Sequence, residues 1–402
     1  MKILFIHQNM PGQFKHLAAW FGHRPEHQAA FLTQRKDREI EGVQRITYGL
    51  HRQPSPQAHH YLIRTEGAVL HGQGAVRPML ELRDKGFIPN IIIGHAGWGE
   101  TLFCKDIFPN TPLINYCEFF YHALGVDIGF DPEDKPQLDN ILRTRVRNAQ
   151  FLLALDGCDR GWSPTAWQRS VHPKEYHSKI NVVHEGIDTQ ILKPDSTTVL
   201  TLPNGRVLRV GDEVVTYVAR NLEPYRGFPT FVRSLPAILA ARPNAQVLVV
   251  GGDGTSYGSP PSDAANWREA MLREVEIDPT RVHFLGSIPY GDYRRVLHLS
   301  AAHVYLTYPF VLSWSMLEAM SSGCLIIGSR TPPVLEVIED GVNGVLVDFF
   351  RPEEVAEKVI AALADPGDFR EIRRLARQTV LDRYELKRCF EQQLQMIREL
   401  VR

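Results

Sequence analysis

Two arginines near the middle of the chain are spaced to grip an anion. In Val218-Ala219-Arg220-Asn221-Leu222-Glu223-Pro224-Tyr225-Arg226-Gly227-Phe228, Arg220 ends an apolar run and Arg226 falls in the Gly-containing loop that follows. Two guanidinium forks so placed can hold a diphosphate through charge-assisted bonds of roughly 1.5–3 kcal/mol each. Taken alone, the pair fits two solvated surface arginines equally well. A second element carries the same chemistry. Val304 to Gly328 reads as strand, loop, helix and strand, and its helix begins at Ser313-Trp314-Ser315 and contains a single carboxylate, Glu318. A helix start favours negative charge through its unpaired N–H groups and its dipole. This end is therefore a candidate phosphate site.

The amino-terminal half offers two loops. Asn9 to His16 contains Gly12 and Gln13 after the first apolar run, and Gly12 lets the backbone approach a ligand before a helix starts. Gly94-His95-Ala96-Gly97-Trp98-Gly99-Glu100 has more glycine than a turn needs and is expected to expose an imidazole and a carboxylate. Trp98 as core and Glu100 as a helix-start residue are the competing readings. The run Phe119-Phe120-Tyr121-His122 fits packing or the lining of an acceptor groove, and Gly251-Gly252-Asp253-Gly254 is a Gly turn after a strand.

The elements that must position these residues follow from the hydrophobic pattern. Short apolar runs at Ile3 to His7, Ala29 to Thr33, Asn90 to Gly94, Pro112 to Tyr116, Gly161 to Ser163 and Ile180 to His184 alternate with amphipathic stretches. That rhythm predicts parallel strands joined by helices. It pauses near Gly186, where Leu202-Pro203-Asn204-Gly205-Arg206-Val207 predicts a hairpin. It resumes at Val214 to Ala219, Gln246 to Gly251, Val282 to Leu285, His303 to Thr307, Leu325 to Gly328 and Gly344 to Val347. The fold class is α/β, with two Rossmann-like, doubly wound domains. Their expected extents are residues 1–190 and 212–380, joined by a linker and hairpin over 191–211. A last helix within 381–402 is expected to pack back on the first domain.

Composition narrows the function. The chain has 402 residues, 44% hydrophobic and 23% charged, with a formal net charge of -1, so two globular cores are expected and no global field steers it to nucleic acid. Its five cysteines are scattered and lack zinc-site spacing, which reads as reduced, mostly buried thiols. No apolar run reaches the ~18 residues of a membrane span. The expectation is a cytoplasmic protein that at most lies against the inner face of a membrane. No Asp-X-Asp pair stands at a strand end, so neither a metal nor another cofactor is expected.

In this order, these segments resemble glycosyltransferase family 4, retaining enzymes of the GT-B fold, in which two Rossmann-like domains face each other across a cleft. The likeness includes Pro11-Gly12-Gln13, the His95 loop, Val183 to Asp188, Arg220 with Arg226-Gly227, Gly251 to Gly254, Phe284-Leu285-Gly286, and Leu317-Glu318-Ala319-Met320 with Gly323. It implies that Glu318 holds the donor ribose, that Arg220 and Arg226 neutralise the diphosphate, and that His95 lies by the transferred sugar. Gly12, Gln13, Gly252, Gly286 and the stretch Phe310-Val311-Leu312-Ser313-Trp314-Ser315 fall on the donor side. Trp98, Glu100 and Tyr121 fall on the acceptor side.

Two positions depart from the family pattern. Arg226 stands where lysine is usual and keeps the charge. Phe310 stands where the family has the first of two glutamates, and Val311-Leu312-Ser313 replaces the Gly-Phe-Gly that follows it. The missing acid normally touches the transferred sugar, so a changed donor, a changed mechanism and lost activity all stay open. The expected activity is metal-independent transfer of a hexose-type sugar from a UDP- or GDP-sugar. The expected acceptor is a glycan, lipid-linked or other glycoconjugate, in bacterial surface polysaccharide synthesis, with peripheral membrane association as a partner. The alternatives are a nucleotide-sugar-binding protein without turnover, or a GT-B epimerase or phosphorylase.

Overall fold

Strand β1 (Lys2–Ile6) sets the architecture of the amino-terminal half. Ile3 and Phe5 enter one core cluster with Phe14, Phe21, Phe31 and Ile93, while Leu4 and Ile6 enter another with Ala30, Leu32, Met79 and Ile92. Successive side chains of a strand point to opposite faces, so an unbroken apolar run buries both faces, as parallel sheets require. In the computed structural model, which describes residues 1–133 and 135–401, the chain divides into a unit of residues 1–186 with the chain from Lys387, and a second unit, Ile187–Leu386.

The first unit contains a seven-stranded parallel sheet in the order β3-β2-β1-β4-β5-β6-β7. The remaining strands are β2 (Gln28–Thr33), β3 (Val43–Thr47), β4 (Ile91–His95), β5 (Leu113–Tyr116), β6 (Arg160–Ser163) and β7 (Ile180–Val182). The apolar runs mark six of the seven; β3, with Gln44 and Arg45 at the sheet edge, carries no such run. The winding reverses between β1 and β4, so the loops leaving these two strands flank the switch point where open α/β sheets bind ligands. The helix Leu386–Leu400 belongs to this unit and adds Leu394, Met396 and Ile397 to the Phe5 cluster.

The second unit repeats the plan with a six-stranded parallel sheet, β12-β11-β10-β13-β14-β15. Its strands are β10 (Val214–Asn221), β11 (Gln246–Gly252), β12 (Val282–Gly286), β13 (Ala302–Tyr305), β14 (Ile326–Ser329) and β15 (Val345–Val347), and its switch point lies between β10 and β13. The segment 191–211 is part of this unit rather than a free linker. Its antiparallel pair β8 (Val199–Thr201) and β9 (Val207–Arg209) turns through Asn204-Gly205, and Leu202 and Leu208 pack on Val214 and Leu248. The unit also extends past residue 380, because the helix Arg370–Arg383 buries Ala376, Val380 and the following Tyr384 in its core.

All five cysteines are buried, and among the described residues none forms a disulfide. Among the described residues no helix is long and apolar enough to cross a membrane, and no cluster of His, Cys, Asp or Glu has the form of a metal site.

Candidate functional site

The β10–β13 switch point gathers the arginine loop and the Phe310 loop. Arg226 is largely buried, and its Nη1 donates to Thr307 Oγ1 at 2.8 Å and to the Val311 carbonyl at 3.0 Å. The guanidinium carbon lies 5.5 Å from the Tyr257 ring centre and 5.9 Å from that of Phe310. Among the described residues neither Arg220 nor Arg226 forms an ion pair with a carboxylate within 4.0 Å. Arg220 is exposed at the end of β10. A guanidinium fixed through one nitrogen keeps its other donors for a planar anion.

Glu223 lies under the same loop and is fully buried. Its Oε2 accepts the N–H groups of Ser256 at 3.0 Å and Tyr257 at 2.8 Å, and burial raises its pKa. The Asn221 side chain donates to Ser256 Oγ at 2.6 Å, so the segment after β11 is tied to the end of β10 twice. Gly252 and Gly286 end β11 and β12 on the same side of the sheet.

The expected helix runs over Trp314–Ser321 with Ser313 as its cap. Ser313 engages part of its first turn: the hydroxyl accepts from the Ser315 N–H at 3.3 Å and the carbonyl from the Met316 N–H at 3.3 Å. These amides do not face the loop unpartnered, as the sequence led us to expect, and the anion-directed groups here are the helix dipole with the Ser313 and Ser315 hydroxyls. Glu318 is held on both oxygens, Oε1 accepting from Tyr290 Oη at 3.1 Å and Oε2 from Tyr293 Oη at 2.7 Å. Phe310 is buried, edge-on to Tyr225 and Tyr257 at ring-centre distances of 5.5 and 4.8 Å. An aromatic cluster thus replaces a carboxylate beside Arg226. Val311 is buried and contributes its carbonyl, and Leu312 packs on the helix core.

In the first unit, the β1 and β4 loops bring His7, Gln13, His95 and Trp98 together. The His95 ring lies 4.9 Å from that of His7, 4.6 Å from Trp98 and 5.2 Å from Tyr116. His95 is therefore buried, not exposed as its glycine-rich loop suggested, and burial holds its pKa well below the usual histidine value with a further push from His7. Its Nε2 has no hydrogen-bond partner among the described residues, and Glu118 Oε2 stands 3.7 Å away. His7 Nδ1 accepts from the Asn9 N–H, so Nε2 carries the proton and donates to Gln13 Oε1 at 2.7 Å; Gln13 in turn donates to Glu118 Oε1 at 3.0 Å.

Glu100 departs further from expectation. It is fully buried under Tyr48, whose hydroxyl donates to Oε1 at 2.5 Å, and burial raises its pKa to about 7. It is a core acid, not a group on the rim of a site. Tyr121 is engaged by Arg147, whose guanidinium sits 3.4 Å from its ring centre, and by Phe119. Trp98 is half-buried on the His7 and His95 rings. His7, Glu118, Glu223, Tyr257, Tyr290 and Tyr293 were not singled out from sequence. Only the pair Tyr290 and Tyr293, one helical turn apart, carried a local signal.

Residues 25–192 match the family model described as "Glycosyl transferase family 4 group", and residues 203–379 match "Glycosyl transferases group 1". Over 166 residues the chain is 28% identical to a phosphatidylinositol N-acetylglucosaminyltransferase subunit from Arabidopsis thaliana, covering 40% of this chain and 32% of that protein. It is 24% identical over 204 residues to D-inositol 3-phosphate glycosyltransferase of Segniliparus rotundus, covering 50% and 43%. The chain thus spans less than half the length of these curated relatives. A crystal structure of Anabaena HepE in complex with UDP-glucose superposes with a TM-score of 0.66 at 15% identity, covering 99% of this chain and 100% of that one. At that identity the likeness is one of fold.

Proposed function

We propose the following for a chain that belongs to glycosyltransferase family 4 and has the GT-B fold: it moves a hexose-type sugar from a nucleotide-sugar donor to a glycan or lipid-linked acceptor, with retention. The carrying observation is Arg226, fixed by Thr307 and Val311 at the β10–β13 switch point and ion-paired with no described carboxylate. The diphosphate lies against Arg226, Arg220 and the capped start of the helix Trp314–Ser321. Glu318 grips the ribose hydroxyls.

Breaking the anomeric C–O bond places negative charge on the departing diphosphate and positive charge on the sugar ring. Fixed cations and a helix dipole lower that barrier, and removing one such donor typically costs on the order of 10²–10³ in rate. They fill the role that a divalent ion fills elsewhere, so the reading needs no metal. The acceptor attacks from the face the diphosphate leaves, and a phosphate oxygen takes its proton; the family resemblance assigns His95 to the sugar side. UDP is the favoured nucleotide because HepE, which has this fold, binds UDP-glucose. Surface-polysaccharide synthesis at the cytoplasmic face of a bacterial membrane is the proposed setting.

Phe310 favours a second reading, a nucleotide-sugar-binding protein without turnover, because an aromatic ring packed on Tyr225 and Tyr257 stands where the family has an acid, and the neighbouring Glu223 is taken up by the Ser256 and Tyr257 amides. A thermal-shift screen with UDP- and GDP-sugars, followed by transfer assays on the ligands that bind, separates the two. Saturating ligand at about 100 times Kd stabilises by ~2.7 kcal/mol. That shift should vanish in Arg226→Ala and shrink in Glu318→Ala; equal shifts in all three proteins would overturn the site.

A further inference from the structure

At the β1–β4 switch point of the first unit, a hydrogen-bond relay ends on a carboxylate, that of Glu118 in the loop leaving β5. The Asn9 N–H can only donate, so His7 Nδ1 accepts from it and the proton of the ring sits on Nε2. That N–H needs an acceptor, so Gln13 turns its carbonyl to His7 at 2.7 Å and its NH2 group to Glu118 Oε1 at 3.0 Å. Gln168 holds the backbone of the same residue, donating to the Glu118 carbonyl at 2.8 Å. Glu118 Oε2 stands 3.7 Å from His95 Nε2, beyond hydrogen-bond range. The Glu118 side chain is 37% exposed, and an acid so accessible ordinarily samples several rotamers. Here it is anchored through both its backbone and its Oε1.

Charge and shape say what such a carboxylate recognises. Burial lowers the pKa of His7 to about 4 against the Gln13 bond, and holds that of His95 well below the ordinary value with a further push from His7. Both rings are therefore neutral near neutral pH, and Glu118 carries the only charge in the relay. The switch point of the second unit is built the other way, with Arg226 fixed and Glu223 taken up by the Ser256 and Tyr257 amides. A cation there suits a diphosphate, whereas a carboxylate suits neutral O–H donors and repels anions. A carboxylate has about four lone-pair directions, so the Gln13 bond leaves capacity for ligand hydroxyls. Trp98 adds shape, half-buried with its ring centre 4.6 Å from that of His95 and 5.1 Å from that of His7. A flat aromatic surface and a hydrogen-bond acceptor beside the same imidazole match a molecule with a C–H face and an O–H edge.

We infer that Glu118 and Trp98 form a subsite for an uncharged ring polyol, a pyranose or a cyclitol, and that Glu118 selects it against a phosphorylated one. A ring hydroxyl donates to Glu118 while the C–H face of the ring lies on Trp98. A phosphate in place of that hydroxyl meets a like charge. Glu118 binds the hydroxyl and takes no proton from it, so no covalent bond changes at this contact. The binding stands on the first unit alone, and the role of the polyol as sugar acceptor rests on the transfer reading above.

The test is saturation-transfer NMR on the full chain at about 0.05 M salt, where charge discrimination is least screened. The neutral probes are the methyl glycosides of glucose, galactose, mannose and N-acetylglucosamine, with myo-inositol, and the anionic probes are the monophosphates of the same compounds. At least one neutral probe should bind, and its monophosphate at least about tenfold more weakly. Glu118→Gln and Glu118→Ala should each weaken the neutral probe about tenfold without changing thermal unfolding, and Glu118→Gln should also narrow the gap to the monophosphate. Failure of every neutral probe, equal binding of the monophosphates to wild type, or neutral binding indifferent to both variants overturns the proposal. A thermal shift with UDP scores the transfer reading separately: a wild type that binds a polyol but no UDP keeps this subsite and loses that reading.

Discussion

The backbone N–H of Gly97 donates to Nδ1 of His95 at 2.9 Å. A backbone amide can only donate, so Nδ1 must accept and the proton of the neutral ring sits on Nε2. Burial keeps the ring neutral, so His95 presents a fixed N–H donor rather than an acid or base. His95→Ala should lower kcat at saturating donor by roughly 10²-fold, with His95→Gln, which keeps an N–H donor, retaining more. The kcat profile should show no limb from this histidine near pH 6.5. A limb there that disappears in His95→Gln would reassign it as a general base.

Arg226 already spends Nη1 on Thr307 and Val311. Lysine has one ammonium and cannot reach both partners and a diphosphate in the same planar geometry. Although lysine is the commoner residue at this place in the family, Arg226→Lys should lose about tenfold in kcat/KM and Arg226→Ala on the order of 10²–10³. Steady-state assays with varied donor decide this, and wild-type kcat/KM in the lysine variant would mean that the Thr307 and Val311 bonds do not position the charge.

How far the sequence reaches can be judged residue by residue. Apolar runs revealed the strands because both faces of each sheet are buried, and β3 escaped because an edge strand needs only a partly apolar face. Glu223 was not singled out, since its role depends on the Ser256 and Tyr257 amides arriving from the loop after β11. The glycines around His95 and Gly12 were visible, and those around His95 were expected to expose its ring, which is buried. A Cβ on Gly97 would lie 2.7 Å from the His95 ring and one on Gly12 2.3 Å from His7, so the missing side chains let aromatic rings close over the site.

Buried titratable groups make stability depend on pH below neutrality. Burial lowers the pKa of His7, His172 and His303 from 6.5 to about 4. Between those values the unfolded chain binds more protons than the folded one, so stability is full above about pH 6.5 and falls on acidification towards about pH 4, by at most ~3 kcal/mol per histidine. Glu100 acts in the opposite direction: its pKa, raised by burial from 4.5 to about 7, makes the folded chain hold a proton the unfolded one has released, so its contribution is full below about pH 4.5 and is lost as pH rises to about 7. The two windows overlap and the three histidines outweigh the one acid, so denaturant unfolding should show stability rising from about pH 4 to a plateau near neutrality. Glu100→Gln should steepen that rise, and an unchanged slope would mean that the Glu100 pKa is not raised in the fold.

Phe310 stands where an acid is expected, and restoring the acid should not help. The ring is buried between Tyr225 and Tyr257, beside the Arg226 guanidinium. A carboxylate there would be buried, and the cation beside it is Arg226, the one proposed to hold the donor diphosphate. A buried acid and guanidinium attract strongly, so the new charge would occupy Arg226 instead of a sugar hydroxyl. Phe310→Glu should weaken nucleotide binding at least about tenfold, while Phe310→Leu, which keeps the site apolar, should change it by less than about threefold. Titration calorimetry with UDP on both variants tests this. Tighter binding or faster transfer in Phe310→Glu would show that the aromatic cluster can open to solvent, and that the surroundings of Arg226 can hold a second charge.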